Sequence, residues 1–124
     1  MRKQIIFTLA LAISMISVQA ADIAPITKAF KAGNADLLKG YMDEEVNISV
    51  PGTTKKGAGN EAIVVLKTFF QANKVSDFTV SHHADKNTSG FFVAKLVTDK
   101  TTFRVNVTYT TKAGTVLLQA IRIE

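Results

Sequence analysis

The sequence predicts an α+β fold in which helices pack on one face of a strongly curved antiparallel sheet. Three observations support this prediction. Apolar residues in the first part of the chain recur mostly at helical spacing, the period changes to two after Lys74, and short turn-type segments divide the remainder of the chain. The predicted order of elements is helix, helix, strand, long helix and then four strands.

Two helices are predicted at the start of the domain. Asp22 can cap a helix over residues 23–32, with Pro25 in the first turn, where its missing N–H costs little. Gly33 ends this helix, and Asn34 can cap a second, shorter one. The residues predicted to face the core are Ile23, Ile26, Phe30, Leu37, Leu38 and Tyr41.

A strand and a long helix are predicted next. Apolar and polar residues alternate over 46–50, which is typical of a half-buried strand. A Pro-Gly pair at 51–52 ends the strand, and residues 53–59 are predicted to form a loop. The long helix is predicted to begin near Asn60. Its wide apolar stripe consists of Ala62, Ile63, Val65, Leu66, Phe69 and Phe70.

The final 50 residues have a period of two. Strands are predicted near residues 75–83, 90–98, 101–111 and 115–123. The segments between them are short and rich in Asp, Lys, Asn and Gly, which are turn residues. The four strands are therefore predicted to form an antiparallel meander.

The amino-terminal segment has the pattern of a secretory signal. A short basic start precedes an almost wholly apolar run at residues 5–18, and a Val-Gln-Ala sequence then fits the small-residue rule for signal peptidase. The run is shorter than the ~20 residues that a membrane span needs, so no permanent membrane anchor is predicted. We predict a signal peptide over residues 1–20, cleavage after Ala20, a domain over 21–124 and a periplasmic or secreted location.

Charge and composition argue against several classes of function. Removing the predicted signal peptide, with Arg2 and Lys3, lowers the formal net charge from +5 to +3. No run of Lys or Arg is longer than two residues, so nucleic-acid binding is not predicted. The chain has no Cys, which excludes disulfides, thiol catalysis and Cys-based zinc sites. No cofactor is predicted.

A series of short motifs carries a resemblance to a known superfamily. It consists of GNADLL at 33–38, Tyr41, VNIS at 46–49, Pro-Gly at 51–52, Gly57, NEAI at 60–63 and the Phe pair at 69–70. In these motifs the chain resembles the nuclear transport factor two-like superfamily, and it looks most like that superfamily's exported domains of unknown function. The resemblance covers the whole predicted mature chain. It implies a cone in which the long helix and the sheet surround a pocket open at one end.

The same superfamily includes ketosteroid isomerases, and the resemblance allows a test of their chemistry at three positions. The oxyanion tyrosine of those enzymes corresponds here to Ile26, and the carboxylate base corresponds to Ser49 or Val50. The second oxyanion acid corresponds to Asn106, which can donate a hydrogen bond but cannot be a protonated acid. The parts required for this catalysis are missing, so we predict that the protein is not an enzyme.

The adjacent residues His82 and His83 could still supply a general base or a ligand contact. Neighbouring residues on a strand point to opposite faces, so the two cannot easily bind one metal ion. No second cluster of His, Asp or Glu has a convincing ligand spacing, and no metal site is predicted. An inward histidine within hydrogen-bond reach of a second polar group would favour an enzyme.

The candidate ligand-binding residues are chosen by residue type and predicted position. If the cone holds a ligand, we expect Tyr41, His82 and Tyr109 to present polar groups to it, with Phe69 and Phe70 as walls. A cone that is filled by its own Phe and Leu side chains is a further interpretation. The protein would then act only through its surface.

Two predicted strands carry apolar residues on both faces, namely those near 90–98 and 115–123. One face packs under the helices, and the other also needs cover because it would otherwise form a large exposed patch. We therefore predict a homodimer through the outer face of the sheet.

Two functions fit these observations. The favoured one is an exported, non-catalytic binding domain of the cell envelope that holds a small apolar ligand or a partner protein. The alternative is a lyase or isomerase that acts on a hydrophobic small molecule, with His82 or His83 as its base.

Overall fold

A computed structural model describes residues 21–124, so the predicted signal peptide lies outside the described residues. The described chain contains two α-helices, one short 3-10 helix and six strands. These are α1 (Ala24–Ala32), the 3-10 helix (Ala35–Leu38), β1 (Met42–Val50), β2 (Thr53–Ala58), α2 (Gly59–Ala72), β3 (Val75–Lys86), β4 (Ser89–Thr98), β5 (Thr102–Lys112) and β6 (Thr115–Ile123).

The strands form one mixed sheet in the order β2-β1-β6-β5-β4-β3. Neighbouring strands are antiparallel except β1 and β6, which run parallel. Helix α2 packs on β1 and β2, α1 packs on β3, and the 3-10 helix contacts both α-helices. The predicted α+β class and the meander from β3 to β6 are confirmed.

The segment predicted as a loop at residues 53–59 is largely strand β2. It pairs with β1 across a two-residue turn in which Gly52 has a φ of 87°, typical of a type II turn after proline. Every β2 residue is exposed or half-buried, so the strand has no apolar alternation for sequence analysis to detect. Backbone pairing to β1 is enough for an edge strand, and Lys55 and Lys56 make that edge unfavourable for further pairing.

The cap of the 3-10 helix is Asn34, as predicted, but the N-cap residue of α1 is Ile23 and not the predicted Asp22, which lies one residue earlier. Asp22 Oδ1 accepts from the Ala24 N–H at 3.0 Å, and Asn34 Oδ1 accepts from the Asp36 N–H at 3.1 Å. Leu37, predicted to face the core, is 47% exposed. The reason is that a 3-10 helix completes a turn in three residues, so the inward face falls to the buried pair Ala35 and Leu38.

The core lies between the helices and the inner face of the sheet, and aromatic rings fill its centre. Phe30 of α1 is fully buried and stacks on Phe78 of β3, with ring centroids 5.0 Å apart. The edge of the Phe70 ring meets Phe30 at 6.0 Å, and Phe78 meets the buried Phe92 at 6.3 Å. These contacts join α1, α2, β3 and β4.

A bulge in β6 corrects the prediction that this strand is apolar on both faces. Thr108 pairs with Ala120 but Tyr109 pairs with Leu118, so Gln119 is an extra residue in β6. The extra residue reverses the alternation, and the apolar residues on either side of it share one buried face. These are Val116, Leu118, Ile121 and Ile123.

Truncation of Phe30 tests the aromatic core. We expect Phe30→Ala to lower the free energy of unfolding by about 3–5 kcal/mol, because it leaves a cavity between two helices and the sheet. Urea denaturation measures the change. The control is Phe91→Ala, since Phe91 is 40% exposed, and we expect this control to change stability by about 0.5 kcal/mol or less. Equal losses in the two variants would contradict the assigned core.

Candidate functional site

A second bulge, in β3, determines which histidine faces the core. Val80 pairs with Ala94 whereas His82 pairs with Val93, so Ser81 is an extra residue. The Ser81 hydroxyl donates to the Val93 carbonyl at 3.1 Å. Before the bulge Phe78 and Val80 pack into the core, and after it the inward positions move from even to odd numbers.

The structure therefore corrects the prediction that His82 lies beside the interior of the cone. His82 is exposed, and its ring lies 5.5 Å from the ring of the exposed Phe91. Simple alternation after Phe78 and Val80 places His82 inward, but the extra residue turns it to the outer face. His83 takes the inward position instead.

Tyr109, Asp85 and His83 form a hydrogen-bonded cluster at the end of the core. The Tyr109 hydroxyl donates to Asp85 Oδ1 at 2.5 Å. His83 Nε2 lies 2.7 Å from the Tyr109 hydroxyl oxygen and 3.0 Å from Asp85 Oδ2. The Tyr109 hydroxyl has one proton, and it donates this proton to Asp85. His83 Nε2 must therefore carry a proton of its own and donate to these oxygens.

The cluster is only partly accessible. Tyr109 is fully buried, whereas the side chains of His83 and Asp85 are 25% and 18% exposed. Among residues 21–124, every buried side-chain nitrogen or oxygen has a hydrogen-bond partner. The phenol of Tyr109 is therefore satisfied within the protein, and a ligand could reach only the outer parts of the histidine and the carboxylate.

Gly90 creates the space for this cluster. It pairs with Asp85 on one side and with Tyr109 on the other, so the two side chains approach each other over its backbone. A Cβ atom at Gly90 would lie 2.6 Å from both Asp85 Oδ1 and the Tyr109 hydroxyl oxygen. Such a contact is too close for either atom to stay in place, so the cluster requires glycine at this position.

The surroundings of Tyr109 raise the pKa of its phenol well above the ordinary value of 10.0. Burial is the largest cause, because a phenolate would lose its hydration. The hydrogen bond to Asp85 and the negative charge of that carboxylate act in the same direction. Tyr109 is consequently a proton donor held neutral, and it cannot act as a base near neutral pH.

Sequence analysis missed Asp85, which it placed in a turn. The turn is formed by Asn87, whose φ is 56°, together with Thr88, and Asp85 belongs to β3. The available signal was the spacing of His83 and Asp85, since residues two apart on a strand share a face. The pairing of that face with Tyr109 could not be predicted without the bulge.

The remaining candidate ligand residues lie in different parts of the described chain. Tyr41 is half-buried and lines a groove of about 420 Å³ with Pro25 and Gly114. Phe69 and Phe70 are buried in the core, where Phe69 also meets Phe103 with centroids 5.1 Å apart. The described residues do not bring these side chains and Tyr109 into one pocket.

The positions matched to ketosteroid isomerases carry no acid or base on the inner face. Ile26 and Val50 are buried in the apolar core, and the Ser49 hydroxyl lies 3.2 Å from that of Thr54. Asn106 alternates with the buried Val105 and Val107, so it lies on the outer face of β5.

Within residues 21–124, no group of three or more His, Cys, Asp or Glu could hold a metal ion. The cluster supplies only His83 and Asp85 as ligand types, and zinc requires three or four ligands. No helix in this part of the chain is long and apolar enough to cross a membrane.

A groove of about 560 Å³ opens between α2, the 3-10 helix and the start of β1; we call it the α2 groove. Its apolar floor contains Met42, Ile63 and Val64, and Val64 is 62% exposed. Charged residues of both signs form the rim. They are Asp36, Lys39, Asp43, Glu44 and Lys67.

Helices packed on a six-stranded mixed sheet in this order define the nuclear transport factor two-like fold. An NTF2-like protein of unknown function from Cytophaga hutchinsonii superimposes with a TM-score of 0.59 over 88% of this chain and 93% of that chain. The sequence identity is 10%, so this similarity concerns the fold alone.

The family assignment is more specific than the fold. The model of the domain of unknown function DUF4783 matches residues 23–124, and the chain belongs to this family. A DUF4783 family protein from Bacteroides ovatus is 33% identical, with a TM-score of 0.76 over 81% of this chain and 91% of that chain. One from Bacteroides fragilis is 32% identical, with a TM-score of 0.75 over 81% and 94%. No curated protein matches the chain.

Substitution of Gly90 tests the origin of the cluster. We expect Gly90→Ala to lower the free energy of unfolding by about 1–3 kcal/mol, because the added methyl displaces Tyr109 and Asp85. Thermal and urea denaturation measure the loss. Ser89→Ala, at the exposed neighbouring position, should leave stability almost unchanged. A Gly90→Ala variant as stable as the parent would show that the side chains do not meet over this residue.

Titration of Tyr109 tests the electrostatics of the cluster. The chain has two tyrosines, so Tyr41→Phe leaves Tyr109 as the single reporter. We expect its phenolate absorbance to appear only well above pH 10, the ordinary value. Because the folded-state pKa is raised, the stability that Tyr109 contributes is complete below pH 10 and is lost as pH rises through the folded-state pKa.

The control for this titration is Asp85→Asn in the same Tyr41→Phe background. Removing the carboxylate charge should lower the pKa of Tyr109 toward its ordinary value, while burial keeps part of the increase. Ionisation of Tyr109 near pH 10 in the parent would contradict the hydrogen bond to a charged Asp85.

Proposed function

We propose that this chain is an exported, non-catalytic binding domain that acts through its surface. The observation that carries the proposal is the filled interior. Phe30, Phe92 and Tyr109 are fully buried between the helices and the sheet, and the Tyr109 hydroxyl is already bonded to Asp85. Ligand binding inside the cone would have to displace these packed rings.

The state of the polar cluster also favours a structural role for Tyr109. A catalytic acid or base needs a proton, or a free lone pair, within reach of the substrate. The Tyr109 phenol donates its proton to Asp85 and is fully buried, so it does not meet that requirement. Its raised pKa keeps it protonated and preserves the bond.

The α2 groove is the binding surface that we favour. Its volume of about 560 Å³ lies in the range of roughly 300–1,000 Å³ that is usual for small-molecule sites. An apolar floor with a rim of both charge signs suits a small ligand with an apolar body and a polar end. The exposed Val64 is the apolar side chain that such a ligand would cover.

Export is the part of the proposal that depends on sequence alone. A basic start, an apolar run and a small-residue cleavage motif together support a signal peptide over residues 1–20 and a periplasmic or secreted location. The cysteine-free composition is compatible with that destination, because the described domain is stabilised by packing and hydrogen bonds and not by disulfides.

We also propose a homodimer through the outer face of the sheet, for which the exposed residues argue in both directions. Phe91 is exposed on that face, which favours a partner. Lys95 and Arg104 are directly paired there, and Arg122 is also exposed. Two copies that met through this face would bring like charges together, and the β6 bulge removes one of the two apolar patterns that motivated the dimer.

One observation favours an enzyme as the second candidate. His83 faces inward, is partly exposed, and is bonded to Tyr109 and Asp85, as expected of an oriented general base. The contacts within the cluster use Nε2, so Nδ1 is the nitrogen that could accept a proton from a hydrophobic substrate. A lyase or isomerase would then use His83, with Asp85 as the group that orients it.

A fragment screen on isotope-labelled residues 21–124 distinguishes the two functions. We expect apolar fragments with one polar group to shift the amide signals of Met42, Ile63 and Val64. The Val64→Lys variant should weaken this binding by about tenfold or more, because the charge occupies the apolar floor. The control Thr108→Lys adds the same charge to the exposed outer face of β5 and should leave binding unchanged.

Fragments that shift only His83, Asp85 and Tyr109, with no response at the α2 groove, would overturn the surface proposal and support the enzyme. Native mass spectrometry of the protein purified gently from its own compartment then identifies any retained ligand by its mass.

A further inference from the structure

The first described residue lies against the polar cluster. The backbone nitrogen of Ala21 is 3.3 Å from Asp85 Oδ2, and Ala21 packs against the edge of the core. The other carboxylate oxygen of Asp85 accepts from Tyr109. The start of the domain is thus held by a carboxylate that lies 64 residues further along the chain.

The predicted cleavage after Ala20 makes this nitrogen the amino terminus of the exported chain. An amide N–H is one neutral donor, whereas an α-amino group has a pKa of about 7.7–8.0 and is largely a cation with three donors near neutral pH. We propose that the α-ammonium group of Ala21, created by signal peptide cleavage, binds Asp85. This inference rests on the export part of the proposed function.

The charges around Asp85 favour an ammonium partner. Within residues 21–124, no Lys or Arg forms an ion pair with this carboxylate, and its close side-chain contact is with His83 Nε2 at 3.0 Å. The phenol of Tyr109 supplies a hydrogen bond without a positive charge. A carboxylate whose side chain is only 18% exposed gains more from a cation than a fully exposed one does.

The other nearby carboxylate is already in use. Asp22 Oδ1 accepts from the Ala24 N–H at 3.0 Å at the start of α1. Asp22 therefore stabilises the first turn of the helix, and the preceding residue remains free to contact β3. Ala21 directly precedes Asp22, so the start of α1 keeps Ala21 close to the domain. Helix α1 packs on β3, the strand that carries Asp85.

Processing would consequently add an ion pair that the precursor lacks. In the precursor, Ala21 contributes a neutral amide. After cleavage, the new cation joins α1 to the end of β3 and covers the exposed side of Asp85. The mature chain is expected to be more stable than the same chain with residues added before Ala21.

A comparison of chain starts tests the inference. A removable fusion yields a protein that begins at Ala21; chemical acetylation at Ala21 removes the charge, and a Gly-Ser extension removes both charge and terminus. We expect each change to lower the ratio of folded to unfolded protein by about fivefold in urea denaturation, as for an ion pair at a partly exposed site.

Repeating the comparison of the three chain starts in the Asp85→Asn variant isolates the contribution of the ion pair between Ala21 and Asp85. Acetylation should then have less than about a twofold effect, because the neutral amide cannot form the ion pair. The matched control is Asp77→Asn, which removes a carboxylate elsewhere on β3 and should preserve the fivefold effect. Should Asp85→Asn fail to fold, the acetylated and free forms of the parent decide the question, and equal stability overturns the proposal.

The inference has two premises, cleavage after Ala20 and the contact between Ala21 and Asp85. Sequencing the amino terminus of the protein recovered from the producing cell tests the first of them separately. A chain that begins at Ala21 but is unaffected by acetylation would overturn the contact and leave export intact. A chain that begins elsewhere would overturn this inference, while surface binding in the α2 groove would still be tested by the fragment screen.

Discussion

The arrangement of the site depends on one extra residue in β3. Ser81 is accommodated as a bulge, and every later residue of the strand faces the opposite side from the one that simple alternation assigns. His83 and Asp85 therefore reach Tyr109, and His82 is left outside with Phe91. The bulge costs little backbone hydrogen bonding because the Ser81 hydroxyl bonds to the opposite strand.

The interior consists of closely packed aromatic rings with a small polar cluster at one end. The packing depends on the cluster because Tyr109 belongs to both. Tyr109 supplies a ring that fills the core and a hydroxyl that would be costly to bury alone. Asp85 accepts that hydroxyl, and Gly90 leaves the necessary space between them. The result is a domain whose polar cluster closes one end of an aromatic core.

Most of the fold was predictable because the spacing of apolar residues along the chain distinguishes helices from strands. The apolar stripe of α2 and the alternation in β1 were correctly interpreted, and so was the Asn34 cap. The β2 strand was missed because backbone pairing, not apolar pattern, holds an edge. The candidate site was less predictable, since the inward choice between His82 and His83 depends on a bulge, and a bulge leaves no mark in composition.

The parallel pairing of β1 with β6 has a consequence for the order of folding. These strands are separated along the chain by α2 and the whole meander, yet they are neighbours in the sheet. A growing chain can form the hairpins of β3, β4 and β5 early, but β1 and β2 cannot join them until residues 115–123 have been synthesised. Such non-local pairing slows folding, so the hairpin of β1 and β2 has to wait for the last strand before its inner face is covered.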